Sequence, residues 1–332
     1  MKRSKLLCIL LVAALLLPLS SCSGGIQYAA DISGARVSSE IFAYHLDRVA
    51  GDPAAYGITV RGTAADIRDE ALDLCAEYVA VNTLFTRAGL SLNILEKTGA
   101  AERTDADWRL FSTHYEKIGI SKQTIADIET ARARRERLFG SIYDTEGSAA
   151  VPERELEVYF AENYAAVQVV NGYLFTQSED GTQTRMAAQE AQALEKRFSL
   201  IAGAVNAGTP LEEAAADYLI EQGGEAQEID VSIINRADNA YPAGFFEAAY
   251  ALQKGGAAVF VPEAPGADCI YLLVKGDLFA SDETYYTFRR DCLKALKGDV
   301  FANEVHTFAA ALDIQPDERA VRKICAALGV VG

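Results

Sequence analysis

The chain has 332 residues, half of them hydrophobic, and 47 acidic side chains against 31 Lys and Arg give it a formal charge of −16. A surface this acidic repels phosphate backbones and anionic headgroups, which excludes a nucleic-acid-binding role. The hydrophobic share excludes a disordered chain, and the length points to two or more subdomains.

The N-terminus reads as an export address. Lys2, Arg3 and Lys5 precede an uninterrupted apolar run from Leu6 to Leu17, followed by Pro18 and the small residues Ser20 and Ser21. About a dozen apolar residues are too few to span ~30 Å of hydrocarbon as a helix, and the layout is that of a secretory signal over residues 1–21. Leu19-Ser20-Ser21-Cys22 resembles the bacterial lipobox, in which the cysteine thiol takes a diacylglycerol. The resemblance implies lipidation at Cys22, attachment to the membrane through acyl chains, and an extracytoplasmic body. No later stretch is apolar for long enough to span a membrane, and loss of the signal leaves a net charge of −19.

Residues 22–36 are small, polar and Gly-containing, as expected of a tether. Helices follow. The first runs from Ser38 or Ser39 through Ile41, Tyr44, His45 and Val49 to a Gly- and Pro-bearing break over 51–62. Thr63 and Asp66 form a capping-box pattern ahead of the stripe Ile67, Ala71, Leu74, Cys75, Tyr78, Val81 and Phe85, which Gly89 ends. Another helix is expected to open at Thr104 and Asp107, to carry Trp108, Leu110, Phe111 and Tyr115, and to stop at Gly119. Ser121 caps the next, with Ile125, Ile128, Leu138, Phe139, Ile142 and Tyr143 facing inward. Its outer face carries Arg132, Arg134, Arg135 and Arg137, either a solvated helix face or a positive patch for an acidic partner. Residues 37–149 thus read as a helical domain.

After Gly147 the pattern changes. Val151-Pro152-Glu153 starts a helix with Pro at its first position, lined by Leu156, Tyr159, Phe160 and Tyr164. Val167 to Phe175 is rich in β-branched and aromatic residues and is the first convincing strand. A long helix over Arg185 to Asn206, a second over Leu211 to Tyr218 and a third over Phe245 to Leu252 are expected. Strands are expected near Ile229–Ile234, Ala258–Val261 and Cys269–Lys275. From Asp282 the chain returns to helix, with Phe288, Cys292, Leu296, Val300, Val305, Phe308 and Leu312 inward. The fold class is therefore α+β: a mixed domain over 150–280, inserted between a helical domain and C-terminal helices, 281–332, that pack on it.

The residues outside the address offer no metal or cofactor chemistry. His45, His114 and His306 are scattered singly, and Cys75, Cys269, Cys292 and Cys325 have no metal-knuckle spacing. No metal and no cofactor is expected. Whether those four thiols pair as disulfides or stay buried and free is open.

Four segments carry a resemblance to a known family. Pro152-Glu153-Arg154-Glu155-Leu156-Glu157-Val158-Tyr159-Phe160, with Glu162-Asn163-Tyr164 after it, is similar to the linker helix ahead of a parvulin-type domain. Ala207-Gly208-Thr209-Pro210-Leu211-Glu212-Glu213-Ala214-Ala215 and Gly223-Gly224-Glu225 resemble two further elements of that domain. Phe245 to Gly255 resembles its F-x-x-A-A-F-x-L-x-x-G helix almost position for position. The chain thus resembles the extracytoplasmic foldases of the SurA and PrsA type, in which helical chaperone parts carry a parvulin-type (PpiC) prolyl isomerase domain. The parvulin likeness covers about 150–277, and the flanks are similar only in layout.

The resemblance implies a site with two histidines, a nearby Cys or Asp, and Met or Leu plus Phe as a floor for proline. Tyr173 and Tyr271 stand where the histidines would, Glu221 lies near the Cys/Asp position, Tyr241 takes the Met/Leu place, and Phe245 is retained. The enzyme works by holding an apolar proline while an amide twists over a ~20 kcal/mol barrier. Losing both histidines changes the whole polar wall, and the expectation is little isomerase activity. An aromatic groove of Tyr173, Tyr241, Phe245 and Tyr271 would still take unfolded peptide. Core packing alone is the competing reading, most evenly balanced for Tyr173.

The leading expectation is thus a lipid-anchored extracytoplasmic chaperone or foldase whose partners are unfolded, newly exported polypeptides. A working isomerase is the enzyme alternative. A solute-binding or structural envelope lipoprotein is the third, disfavoured by the lack of repeated α/β lobes. Nothing in the sequence decides whether the chain forms a homodimer.

Overall fold

A computed structural model of the chain describes residues 28–59, 62–177, 183–223, 229–238, 240–264 and 266–331. Residues 1–21, expected to be a signal peptide, and Cys22 lie outside the described residues. Among those described, no helix is long and apolar enough to cross a membrane. Helices and sheets occur together, an α+β chain, and the fold divides into two compact units. One contains the described residues up to Ile142 together with those from Asp299 onward; the other is Tyr143–Gly298.

The first unit opens on strands, which corrects the expectation of a tether reaching residue 36. β1 (Tyr28–Ile32) and β2 (Ala35–Ser38) pair antiparallel, and β9 (Ile314–Pro316) joins the other edge of β1. The turn between β1 and β2 places Ser33 at φ 50° and Gly34 at φ 88°, the two left-handed positions of a tight hairpin. Ala29, Ala30 and Ile32 are buried there, so the small residues that resemble a linker are small because they pack.

Ser38 caps α1 (Ser39–Gly51), its side chain accepting from the Ile41 N–H at 3.1 Å. The Thr63–Asp66 capping box opens α2 (Ala64–Arg87), with the Thr63 N–H donating to Asp66 Oδ2 at 2.6 Å. α3 (Ile94–Lys117) starts ten residues before the expected Thr104, because Asn93 and Glu96 form a second capping box. Thr104 sits inside that helix, its hydroxyl spent on the Ala100 carbonyl. Of the apolar face expected on α3, Tyr115 is buried, whereas Leu110 is 74% and Phe111 50% exposed.

α4 (Lys122–Tyr143) buries Ile125, Ile128, Leu138 and Phe139 as expected. Its arginines are not simply a solvated face. Arg132 pairs with Glu129 of its own helix, and Arg135 and Arg137 pair with Glu77 of α2 and Glu96 of α3. Arg134 is half-buried against the Phe85 ring. The unit is completed by the part of α10 (Asp282–Ala310) from Asp299 onward, β9 and α11 (Glu318–Ala327). Val305 is fully buried, but Val300, expected inside, is 47% exposed.

The second unit is built on a four-stranded antiparallel sheet in which β3 (Tyr164–Tyr173) lies between β6 (Ser232–Asn235) and β8 (Cys269–Lys275), with β7 (Ala257–Phe260) on the other edge of β8. α5 (Glu153–Asn163) leads into β3 (Tyr164–Tyr173), with Pro152 as its N-cap and not its first helical residue. β4 (Phe175–Gln177) and β5 (Gln183–Arg185) pair with each other, so the following helix, α6 (Ala188–Asn206), begins after Arg185. The helix expected over 211–218 is two: α7 (Leu211–Ala214) and α8 (Ala216–Glu221). β6 (Ser232–Asn235), α9 (Phe245–Ala251), β7 (Ala257–Phe260) and β8 (Cys269–Lys275) complete the unit's ladder.

Strand alternation sends the two sides of the sheet into different cores. Val170, Ile270, Leu272 and Val274 pack with Phe198 and Ile201 of α6, Leu211 of α7 and Tyr218 of α8. Ala165, Val167 and Leu273 pack with Phe245, Phe246 and Ala249 of α9. Gly172 shares the first face, and the ring of Phe198 lies on it: a Cβ there would meet Phe198 Cε2 and Ile270 Cγ1 at 2.9 Å. At the edge strand β7, the Asn206 side chain takes up both backbone groups of Ala257, donating at 3.0 Å and accepting at 2.8 Å. That covers one end of an otherwise unpaired edge.

Candidate functional site

Three of the five site residues expected from the sequence, Tyr241, Phe245 and Tyr271, meet on the face of the sheet that carries α9. Gly244, at φ 84°, turns the chain into α9 from a backbone region that favours glycine, so that Phe245 begins the helix just after the Tyr241 turn. Tyr241 lies flat on Phe245, with ring centroids 3.8 Å apart and planes 3° from parallel. Tyr271, in the middle of β8, meets both edge-on, 5.7 Å from Tyr241 and 5.2 Å from Phe245. Phe260 closes the group at 5.6 Å from Phe245, because β7 pairs with β8 in a register that sets Phe260 opposite Tyr271. The edge-to-face contacts of this kind contribute about 0.5–1.5 kcal/mol each beyond area burial.

The packing corrects the expected role of Phe245. It is 0% exposed, roofed by Tyr241, Tyr271 and Phe260, so it is core and not a floor open to proline. The half-buried faces of Tyr241, Tyr271 and Phe260 are what this group offers to solvent. Tyr173, at the end of β3, is 48% exposed, with its ring 5.5 Å from Phe175. Its alternation places it on the same side as Val169, and it stands opposite Cys269 in the register.

Glu221 is not brought to this group. It ends α8, on the other face of the sheet, where its carboxylate accepts from both terminal nitrogens of Arg197 on α6. That hydrogen bonding holds its carboxyl below the ordinary range. Its sequence neighbourhood resembles the acidic position of a site, yet its charge is spent on a surface ion pair.

The electrostatics are those of a neutral wall. Burial pushes the phenol of Tyr271 up from its ordinary value of 10.0, with Cys269, Tyr241 and Tyr173 adding. Burial also raises Tyr241. The Cys269 thiol is raised by burial, against hydrogen bonds that involve the Gly172 backbone and Tyr271. Near neutral pH these groups keep their protons and offer phenol hydrogen bonds and aromatic surface, with no resident base. All three histidines are in the first unit, so residues 143–298 contain none.

Cys75, Cys269, Cys292 and Cys325 are all buried free thiols, which settles the open question of pairing. Among the described residues, no cluster of three metal-capable side chains occurs. Sequence reasoning missed Phe260 and Phe175 as members of the aromatic surface. Both are strand residues whose place depends on register, and the signal available was only their aromatic character. It also missed the exposed apolar side chains of α3 in the first unit, where Ile94 and Leu95 are each 81% exposed beside the capping box.

No protein-family model matches the chain, and no curated protein matches it. Among solved structures it is similar to the foldase protein PrsA from Streptococcus pneumoniae, at 13% identity and a TM-score of 0.40, over 89% of this chain and 97% of that one. It is similar to PrsA from Lactococcus lactis at 11% and 0.40, over 91% of this chain and 98% of that one. For PrsA from Bacillus subtilis the values are 10% and 0.27, over 92% and 93%.

Proposed function

We propose that the chain is a lipid-anchored extracytoplasmic chaperone that binds unfolded, newly exported polypeptides and has little or no prolyl isomerase activity. The observation that carries the reading is the roofing of Phe245 by Tyr241. A proline ring needs an apolar floor to sit on, and the one retained phenylalanine of that kind is covered by a tyrosine stacked parallel to it. The lack of any histidine over 143–298 removes the polar partners as well. What is left is a patch of Tyr173, Tyr241, Phe260 and Tyr271. Such a patch suits extended apolar segments through ring contact and phenol hydrogen bonds. Two separate pairs of exposed apolar side chains on α3, Ile94 with Leu95 at its start and Leu110 with Phe111 about 24 Å further along by the helical rise, offer additional apolar contact to non-native chains.

Anchoring is supported by the signal-like residues 1–21 and the lipobox-like Leu19 to Cys22, and the acidic surface is consistent with a body held clear of anionic headgroups. The test is a pair of assays on the same preparation. Suppression of aggregation of an unfolded client is expected at stoichiometric concentration, with no acceleration of a proline-limited refolding phase. Catalysed refolding would favour the isomerase reading, and neither effect would favour a solute-binding or structural envelope lipoprotein.

A further inference from the structure

The first unit holds an open cavity of about 620 Å³ at the C-terminal end of α2, bounded by the Gly89–Leu92 connection and the facing sides of α3 and α4. Its walls are apolar at Phe85, Leu90, Leu92 and Ala100, which pack as one cluster. The charged side chains on it are Arg134 and Lys97, and no lining residue is acidic. On a chain of net charge −16 that is the reverse of the average surface.

Arg134 differs from the other arginines of its helix. Arg132, Arg135 and Arg137 each pair with a carboxylate, whereas among the described residues Arg134 has no carboxylate partner. Its Nη1 donates to the Asn82 side-chain oxygen, its guanidinium carbon lies 5.7 Å from the Phe85 ring centroid, and its Nε is buried without an acceptor. The positive charge is thus held half-buried beside an apolar wall, with no carboxylate at ion-pair distance among the described residues. The nearby hydroxyls of Thr86 and Thr104 do not compete, since each donates to a carbonyl of its own helix at 2.8 Å. Nor do the last carbonyls of α2 oppose an anion strongly: those of Phe85 and Thr86 already accept from the N–H groups of Leu90 and Gly89.

We infer that this cavity binds a small apolar carboxylate, with its body against Phe85, Leu90 and Leu92 and its charge drawn to Arg134, and with Lys97 at the rim. The volume is in the range of small-molecule sites, and a planar carboxylate matches a guanidinium fork. An inorganic anion would leave the apolar wall uncovered, and an apolar amide would leave Arg134 unneutralised. The ligand's carboxylate comes either from a free acyl chain or from the C-terminal residue of a peptide. The inference is independent of the aromatic patch of Tyr173, Tyr241, Phe260 and Tyr271, since it rests on another unit and another chemistry.

Calorimetric titration of the whole chain tests it, with octanoate, N-acetyl-leucyl-phenylalanine, the amide of that dipeptide and inorganic phosphate as probes. At least one of the two carboxylates is expected to bind, and which one does assigns the source. The amide and phosphate are expected not to bind. Arg134→Gln is expected to weaken binding about tenfold or more. Lys97→Met, at an exposed position, is expected to weaken it about threefold and serves where Arg134→Gln fails a thermal-unfolding check. Equal binding of amide and acid, affinity unchanged in both variants, or no carboxylate binding at millimolar concentration would each overturn the site.

Discussion

Tyr241 covers Phe245 as a lid stacked parallel to its ring, 3.8 Å between ring centroids, and so turns a position that resembles a proline floor into core. Removing the lid therefore affects stability as well as any site. Tyr241→Ala is expected to destabilise the second unit by about 2–4 kcal/mol, the cost of a lost half-buried ring and its stacking partner. Urea unfolding measures it. A change within experimental error would mean that the stack is not part of the core.

Gly172 is the reverse case, where adding one methyl group is the perturbation. The Cβ of Gly172→Ala would lie 2.9 Å from Phe198 and Ile270, and Phe198 is fully buried with no free direction to move. A loss of about 1–3 kcal/mol is expected from overpacking. A neutral substitution in the same unfolding assay would show that the α6 face is looser than described.

His45 in the first unit sets a pH dependence. Burial, with Arg48 adding, lowers its pKa from 6.5 to about 4, and its Nε2 is buried with no hydrogen-bond partner. Between these values the unfolded chain binds a proton that the folded chain does not, so stability is full above about pH 6.5 and falls as the pH drops towards 4. The size is about 3 kcal/mol at ~1.4 kcal/mol per pH unit. His45→Leu is expected to flatten this slope in unfolding curves taken across that window. An unchanged slope would assign it to other groups.

The proposed anchoring makes a simple demand on Cys22. Cys22→Ala is expected to release the protein from the membrane fraction into the soluble extracytoplasmic fraction, because a lone apolar stretch of the length of residues 6–17 does not hold a chain in the bilayer. Full membrane retention of the variant would contradict lipidation at that thiol.

Local chemistry was legible in the sequence where it acts over a few residues. The Thr63–Asp66 cap, the turn at Gly89 and the bounds of β8 could be read directly, because each depends on side chains within one turn or on a plain alternation. The Asn93–Glu96 box carries the same signal, but the Thr104–Asp107 pattern inside the helix mimics it. Long-range pairing was not legible. The strands at Tyr28–Ile32 and Ile314–Pro316 exist through each other, with the Ser33 N–H donating to the Asp313 carbonyl across most of the chain length. The site was half legible for the same reason. Tyr241, Phe245 and Tyr271 could be picked from a motif, while the roofing of Phe245 and the loss of Glu221 to Arg197 depend on register and on which face a helix takes.

Binding of an unfolded, aromatic-rich peptide to the whole chain and to its Tyr173→Ser variant, followed by fluorescence anisotropy, tests the central claim most directly. Tyr173 is about half exposed and outside the stacked core, so its removal leaves the fold intact. Measurable binding by the native chain, weakened about threefold to tenfold in the variant, is the expected result. Absence of binding, or equal affinity in both proteins, would contradict an aromatic peptide-binding surface at this place in the fold.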